Sequence, residues 1–178
     1  MDLVFNLTLL AIIGMAAFFD IKERRIPNWI ILFGVIAGLG LGGFQGSTQL
    51  LFSLLGFSVG LLFLILPFAA GWMGAGDVKF FAVVGALVGY KPMPRVFFYS
   101  CIVAGITALI ALAFGKVRQM SFKNFWTDWK FILLPLLISL PDNKPGRSRV
   151  YSVPWGLAMA AGTIMAYYLD PLGHWAGF

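Results

Sequence analysis

The sequence predicts an all-α integral membrane protein with about six transmembrane helices and an interfacial amphipathic helix before the last span. Of its 178 residues, 60% are hydrophobic and only 11% are charged, and the mean hydropathy is +0.90. A soluble domain of this size carries about 25% charged residues. Apolar segments also recur along the whole chain, as in a polytopic membrane protein. We therefore expect residues 1–178 to form a single membrane-embedded domain.

The first apolar segment reads as a retained span rather than as a cleaved signal peptide. Only Met1 and Asp2 precede it, and the basic residues follow it. A span needs about 20 apolar residues, and the fourth segment reaches only about 17 if its helix begins near Gly74. The six predicted spans fall at residues 3–19, 29–43, 50–71, 78–90, 96–115 and 152–169.

The distribution of basic residues predicts the orientation of these spans. With the N-terminus outside, 11 of the 13 Lys and Arg residues fall on the cytoplasmic side, and only Lys91 and Arg95 fall on the other. Cytoplasmic loops of membrane proteins carry such an excess. These cytoplasmic basic residues also explain the net charge of +6, because they would be attracted to anionic lipid headgroups. The positive charge therefore does not require a nucleic-acid partner.

An insertion at about residues 116–150 separates the fifth and sixth predicted spans. Phe122, Phe125, Trp126 and Trp129 recur at spacings of three and four between charged residues, which is typical of an amphipathic helix lying in the membrane interface. The pattern favours a simple anchoring helix, and a surface element near a substrate entrance is the alternative.

The chain offers little for cysteine, histidine or metal chemistry. Cys101 is its only cysteine and His174 its only histidine, which argues against a disulfide, a cysteine-based zinc site and serine–histidine catalysis. We expect neither a cofactor nor a metal.

Two aspartates, Asp20 and Asp77, lie at the edges of apolar segments, where a carboxylate is costly to keep. Asp20 ends the first span and Asp77 begins the fourth, so the predicted topology places both at the cytoplasmic boundary. Two neighbouring carboxyl groups do not both ionise readily, so one can act as general base and the other as general acid. The glycines Gly74 and Gly76 would let another backbone approach Asp77. This pattern predicts a catalytic pair for peptide hydrolysis, with Asp77 slightly favoured as the ionised member.

Structural roles for the same aspartates remain open at this point. Aspartates often cap helix N-termini, and Asp20 has Arg24 four residues further on as a partner for an ion pair. A proton-coupled transporter would also use intramembrane carboxylates, although such proteins tend to show internal repeats and acids nearer the midplane. A non-catalytic assembly factor for a secretion machine is a third reading.

Two segments of the chain resemble the signatures of the type IV prepilin peptidases, which are membrane aspartic proteases with a GxGD motif. One runs from Asp20 to Arg25-Ile26-Pro27-Asn28, and the other is Gly74-Ala75-Gly76-Asp77-Val78-Lys79. The segment containing Pro154 and Gly156 is similar to the start of the family's last helix. The resemblance covers nearly the whole chain in the right order.

The resemblance implies that Asp20 and Asp77 are the catalytic aspartates. It also implies supporting roles for the residues at the matching motif positions, which are Gly74, Gly76, Lys79, Arg25, Pro27, Asn28, Pro154 and Gly156. Helix geometry is the simpler explanation for the two prolines and for Asn28 and Gly156. For Lys79, snorkelling and a role in the electrostatics of the site are equally open. The larger family members carry an insertion with paired CxxC motifs and also methylate the new N-terminus. This chain has neither the cysteines nor room for that insertion between Phe19 and Trp29, and it resembles the short form found with Flp/Tad-type pili and archaeal preflagellin processing.

By this resemblance the expected activity is removal of a short basic leader peptide from a prepilin or pseudopilin. Cleavage is expected at the cytoplasmic face of a prokaryotic cell membrane, without zinc and without N-methyltransferase activity.

Overall fold

The computed structural model describes residues 2–23, 25–69, 73–113 and 155–169, and these form six α-helices without a strand. The predicted all-α membrane architecture is thereby confirmed. The amphipathic insertion predicted at about residues 116–150 lies outside the described residues, and so does Pro154. The helices are α1 (Asp2–Glu23), α2 (Asn28–Gln45), α3 (Ser47–Ala69), α4 (Ala75–Val88), α5 (Met93–Ala113) and α6 (Trp155–Tyr168).

Four of these helices, α1, α2, α3 and α5, are long and apolar enough to cross a membrane. Helices α4 and α6 have 14 residues each in the described part of the chain, shorter than the spans expected there. Helix α4 ends at Gly89, which adopts a φ of +77° and donates its N–H to the Gly85 carbonyl at 2.8 Å. Glycine takes this left-handed conformation without the steric cost of a Cβ atom, so it closes the helix early.

Helix α4 is enclosed by the other helices. Residues 80–88 are all buried, and α4 packs chiefly against α3 and α2. Glycines on both neighbours make this close packing possible. A Cβ atom added to Gly38 of α2 would lie 2.9 Å from the Ala86 carbonyl carbon, and one added to Gly60 of α3 would lie 2.8 Å from the Ala82 Cα. Small residues commonly allow membrane helices to approach in this way.

The last helix, α6, packs mainly against α5 and also contacts α1. The C-terminus of α1 and the N-termini of α2, α4 and α6 lie together. We call this end of the bundle the site end. Contacts between these termini tie it together, because the first turn of α6 touches Asp20 and the first turn of α4 faces Ile26.

Candidate active site

Asp20 lies in the last turn of α1 and is only 5% exposed. Its Oδ2 atom accepts a hydrogen bond of 3.0 Å from the backbone N–H of Leu157, in the first turn of α6. The first N–H groups of a helix have no partner within that helix. Asp20 therefore supplies, from a different helix, an acceptor that the first turn of α6 needs.

Asp77 lies in the first turn of α4 and is half-buried. Its Oδ2 atom accepts a hydrogen bond of 3.0 Å from the N–H of Gly74, the residue that caps the helix. This bond is one half of a capping box, in which a side chain of the first turn satisfies the N–H of the cap residue. A structural role for Asp77 in capping helix α4 is therefore present, and it is compatible with a catalytic role.

The two carboxyl groups lie at the same end of the bundle, Asp20 in the last turn of α1 and Asp77 in the first turn of α4. Each also lies at a helix N-terminus, Asp77 at that of α4 and Asp20 at that of α6. The N-terminal end of a helix carries a partial positive charge that stabilises a negative group. The two helix ends therefore stabilise negative charge on the carboxyl groups. Repulsion between two carboxylates opposes the ionisation of both at once. Such a pair has the composition needed for combined acid and base catalysis.

The remaining sequence-predicted residues within the described ranges lie at this same end of the bundle. Gly156 is buried against Asp20, whereas Gly74 is exposed and Gly76 is half-buried. Pro27 is the N-cap residue of α2, with a φ of −61°, and Asn28 is the first residue of that helix. This placement agrees with a geometric role for Pro27. The side chains of three polar residues at this end are exposed, namely Arg25, Asn28 and Lys79.

The backbone N–H of Leu157 is the contact that sequence reasoning missed. No local pattern of residues in the chain points to this contact, because its two partners are 137 positions apart.

Other features in the described part of the chain lie away from the aspartates or offer no ligands. A groove of about 180 Å³ between α1 and α6 includes Asn6, Ile13 and Tyr167 in its lining, and the Asn6 amide lies 3.3 Å from the Tyr167 hydroxyl. Asn6 is 14 positions from Asp20, about 21 Å along the helix. No group of three or more His, Cys, Asp or Glu residues that could hold a metal occurs among the described residues.

Comparison with known proteins gives two kinds of match. The model of the type IV leader peptidase family matches residues 7–109, a range that contains both aspartates. The chain is 33% identical over 137 residues to the prepilin peptidase EppA of Methanococcus maripaludis, covering 71% of this chain and 36% of that protein. It is 29% identical over 112 residues to the prepilin leader peptidase/N-methyltransferase of Bacillus subtilis, covering 62% and 45%. The matches thus span less than half the length of each relative. No solved structure matches the chain.

Proposed function

The chain belongs to the type IV leader peptidase family, and we propose that it is an aspartic endopeptidase that removes the leader peptide of a prepilin or pseudopilin. The observation that carries the proposal is the placement of Asp20 and Asp77 at the same end of the bundle, where α1 ends and α4 begins. Both relatives are named for prepilin or leader peptidase activity, which supports the same substrate class. The apolar helices and the family support a multi-pass protein of a prokaryotic cell membrane. The excess of basic residues on one side supports an orientation with the N-terminus outside and the aspartates at the cytoplasmic face.

In the proposed reaction the two carboxyl groups act on one water molecule and one peptide bond. The ionised carboxylate takes a proton from water, whose oxygen attacks the peptide carbonyl carbon. The protonated carboxyl donates a hydrogen bond to the carbonyl oxygen, and the leaving nitrogen receives a proton when the tetrahedral intermediate breaks down. The water oxygen ends in the new carboxyl terminus, and the nitrogen becomes the new amino terminus. Either aspartate can begin in either protonation state.

The proposal extends to cleavage without methylation. One relative is named as a combined peptidase and N-methyltransferase, so the two activities occur together in the family. This chain has no cysteine between Phe19 and Trp29, where the CxxC insertion of the larger members would stand, and α2 begins only five positions after the last residue of α1. Mass spectrometry of the processed substrate should therefore find an unmodified amino terminus. A methylated terminus, in a host without another methyltransferase, would contradict this part of the proposal.

Co-expression with a prepilin that carries a basic leader tests the cleavage itself. We expect Asp20→Asn and Asp77→Asn each to slow conversion of the precursor by about 100-fold or more, since each removes one member of the acid–base pair while preserving its shape. Glu23→Gln is the matched control, because it neutralises an exposed carboxylate in the same turn of α1 as Asp20. Normal trimming by either aspartate variant would refute the paired mechanism. Proton movement by a wild-type protein that trims no such precursor would favour a transporter instead.

A further inference from the structure

We propose that the first turn of α6 is a positioning element for Asp20, in which Gly156 admits the carboxyl group and the Leu157 N–H holds it. The inference rests on the proposed peptidase function and deepens it. It assigns a task in catalysis to a helix that carries neither aspartate. Residues 156 and 157 act through Asp20 and need not touch the substrate.

The hydrogen bond from Leu157 fixes one oxygen of the carboxyl group. The bond joins positions 137 residues apart, so it depends on how α6 docks against the end of α1. It combines with the partial positive charge of the helix N-terminus to favour one orientation of the Asp20 side chain. Hydrogen bonds to a charged acceptor are stronger than neutral ones, which makes this contact a useful restraint.

The absence of a side chain at Gly156 creates the space that the Asp20 carboxyl group occupies. A Cβ atom added there would lie 2.9 Å from Asp20 Oδ2, and 3.0 Å from both Cγ and Cβ of the same residue. Real Cβ atoms rarely approach another atom so closely, so any other residue has to displace Asp20 or α6. Since Asp20 is buried, its side chain has little free space into which it can turn.

These two contacts predict a specific kinetic defect. A displaced carboxyl group still permits the substrate to bind, but it no longer aligns with the water molecule and the carbonyl group. Misplacement by about 1 Å costs roughly 100-fold in rate in enzymes that depend on alignment. The defect should therefore appear in kcat, with KM little changed.

Gly156→Ala tests the proposal, with Gly162→Ala as its matched control on the same helix. A Cβ at Gly162 would lie 2.5 Å from the Ser100 backbone nitrogen, so this variant also strains the docking of α6, but against α5 and away from Asp20. With purified protein and a prepilin in detergent micelles, we expect Gly156→Ala to lower kcat about 100-fold. Gly162→Ala should lose stability and keep its kcat per folded molecule. Equal kcat values for Gly156→Ala and wild type, or equal kcat losses in both variants, would overturn the proposal.

A stability cycle keeps the proposal testable where activity is not measurable. Asp20→Ala removes Oδ2 and Cγ, two of the three atoms that a Cβ at Gly156 would meet. Gly156→Ala should therefore destabilise the Asp20→Ala protein less than it destabilises wild type. An equal loss in the free energy of unfolding in both proteins would contradict a close contact between residue 156 and the Asp20 carboxyl group. A wild-type protein that cleaves no precursor defeats the proposed function, whereas this cycle still reports whether α6 holds Asp20.

Discussion

The two aspartates of the site are held in place by different parts of the fold. Asp77 belongs to α4, a helix whose residues 80–88 are buried between α2 and α3, and its carboxylate bonds within its own first turn. Asp20 stands at the end of α1, a helix with many exposed apolar side chains such as Leu3, Leu7 and Leu10. Its carboxylate bonds to a different helix, α6. Asp77 thus lies on an enclosed helix and bonds within that helix, whereas Asp20 lies on a more exposed helix and bonds to the first turn of another.

This difference indicates that the two halves of the site can be disturbed separately. Changes in the glycine contacts of α4 should act through the fold as a whole, since a shift of α4 repacks the protein core. Changes at the first turn of α6 should act on Asp20 with little effect on the rest. Substitutions in the two regions should therefore have different effects on stability and on activity.

The largest effect is expected for Gly56→Ala, at the closest approach of α3 to α4. A Cβ there would contact the Gly85 carbonyl oxygen and lie 2.8 Å from the Gly85 carbonyl carbon and 2.7 Å from that of Gly89. Backbone atoms cannot turn away as a side chain can, so the helices have to separate. We expect a loss of about 3 kcal/mol in the free energy of unfolding, measured in mixed micelles, with loss of cleavage.

Gly40→Ala on α2 is the control for Gly56→Ala. An added Cβ at Gly40 has no neighbour within 4 Å in the described structure, so the free energy of unfolding should change by about 0.5 kcal/mol or less. Similar losses in both variants would mean that the alanine substitution itself, rather than the α3–α4 approach, controls stability.

A smaller effect separates the two aspartates themselves. Asp20→Ala leaves the part-buried Leu157 N–H without its acceptor, whereas Asp77→Ala leaves the N–H of an exposed Gly74, which water can satisfy. Both variants remove the same repulsion between the carboxyl groups, so that contribution cancels in the comparison. We expect Asp20→Ala to be less stable than Asp77→Ala by about 1 kcal/mol or more.

Thermal or denaturant unfolding of the two alanine variants in the same detergent measures this difference. The asparagine variants of the two residues retain an acceptor oxygen, so their free energies of unfolding should differ less than those of the alanine variants. If Asp77→Ala is the less stable of the two, the α6 contact contributes less than the cap of α4, and the contrast between the aspartates has to be reversed.

The helices were predictable from the sequence because their apolar runs are long, and the aspartates because charges at the edges of such runs are rare. Hydropathy places Asp20 and Asp77 at the ends of their segments without any knowledge of tertiary contacts. Hydropathy also predicted a fourth span, whereas α4 is a short helix because Gly89 ends it. Its enclosure by the other helices depends on glycines of α2 and α3, which hydropathy does not reveal.

The relation between α6 and Asp20 was beyond a local reading of the chain. The motif at Pro154 and Gly156 predicted a helix start, and only the tertiary structure shows that Gly156 and Leu157 meet Asp20. A pattern of apolar and polar residues records which face of a helix is buried. It does not record which distant residue accepts a hydrogen bond from the first turn of a helix.

A small change in stability, together with the most specific change in activity, is expected for Gly76→Ala. The sequence predicts that the missing Cβ of Gly76 lets another backbone approach, yet within the protein a Cβ there would lie 3.9 Å from the Ile26 carbonyl oxygen, an ordinary contact. The fold itself therefore tolerates alanine, and the free energy of unfolding should change by about 0.5 kcal/mol or less. If the approaching backbone is that of the substrate, KM should rise while the fold stays intact. Unchanged kinetics together with unchanged stability would show that neither the fold nor the substrate needs this glycine.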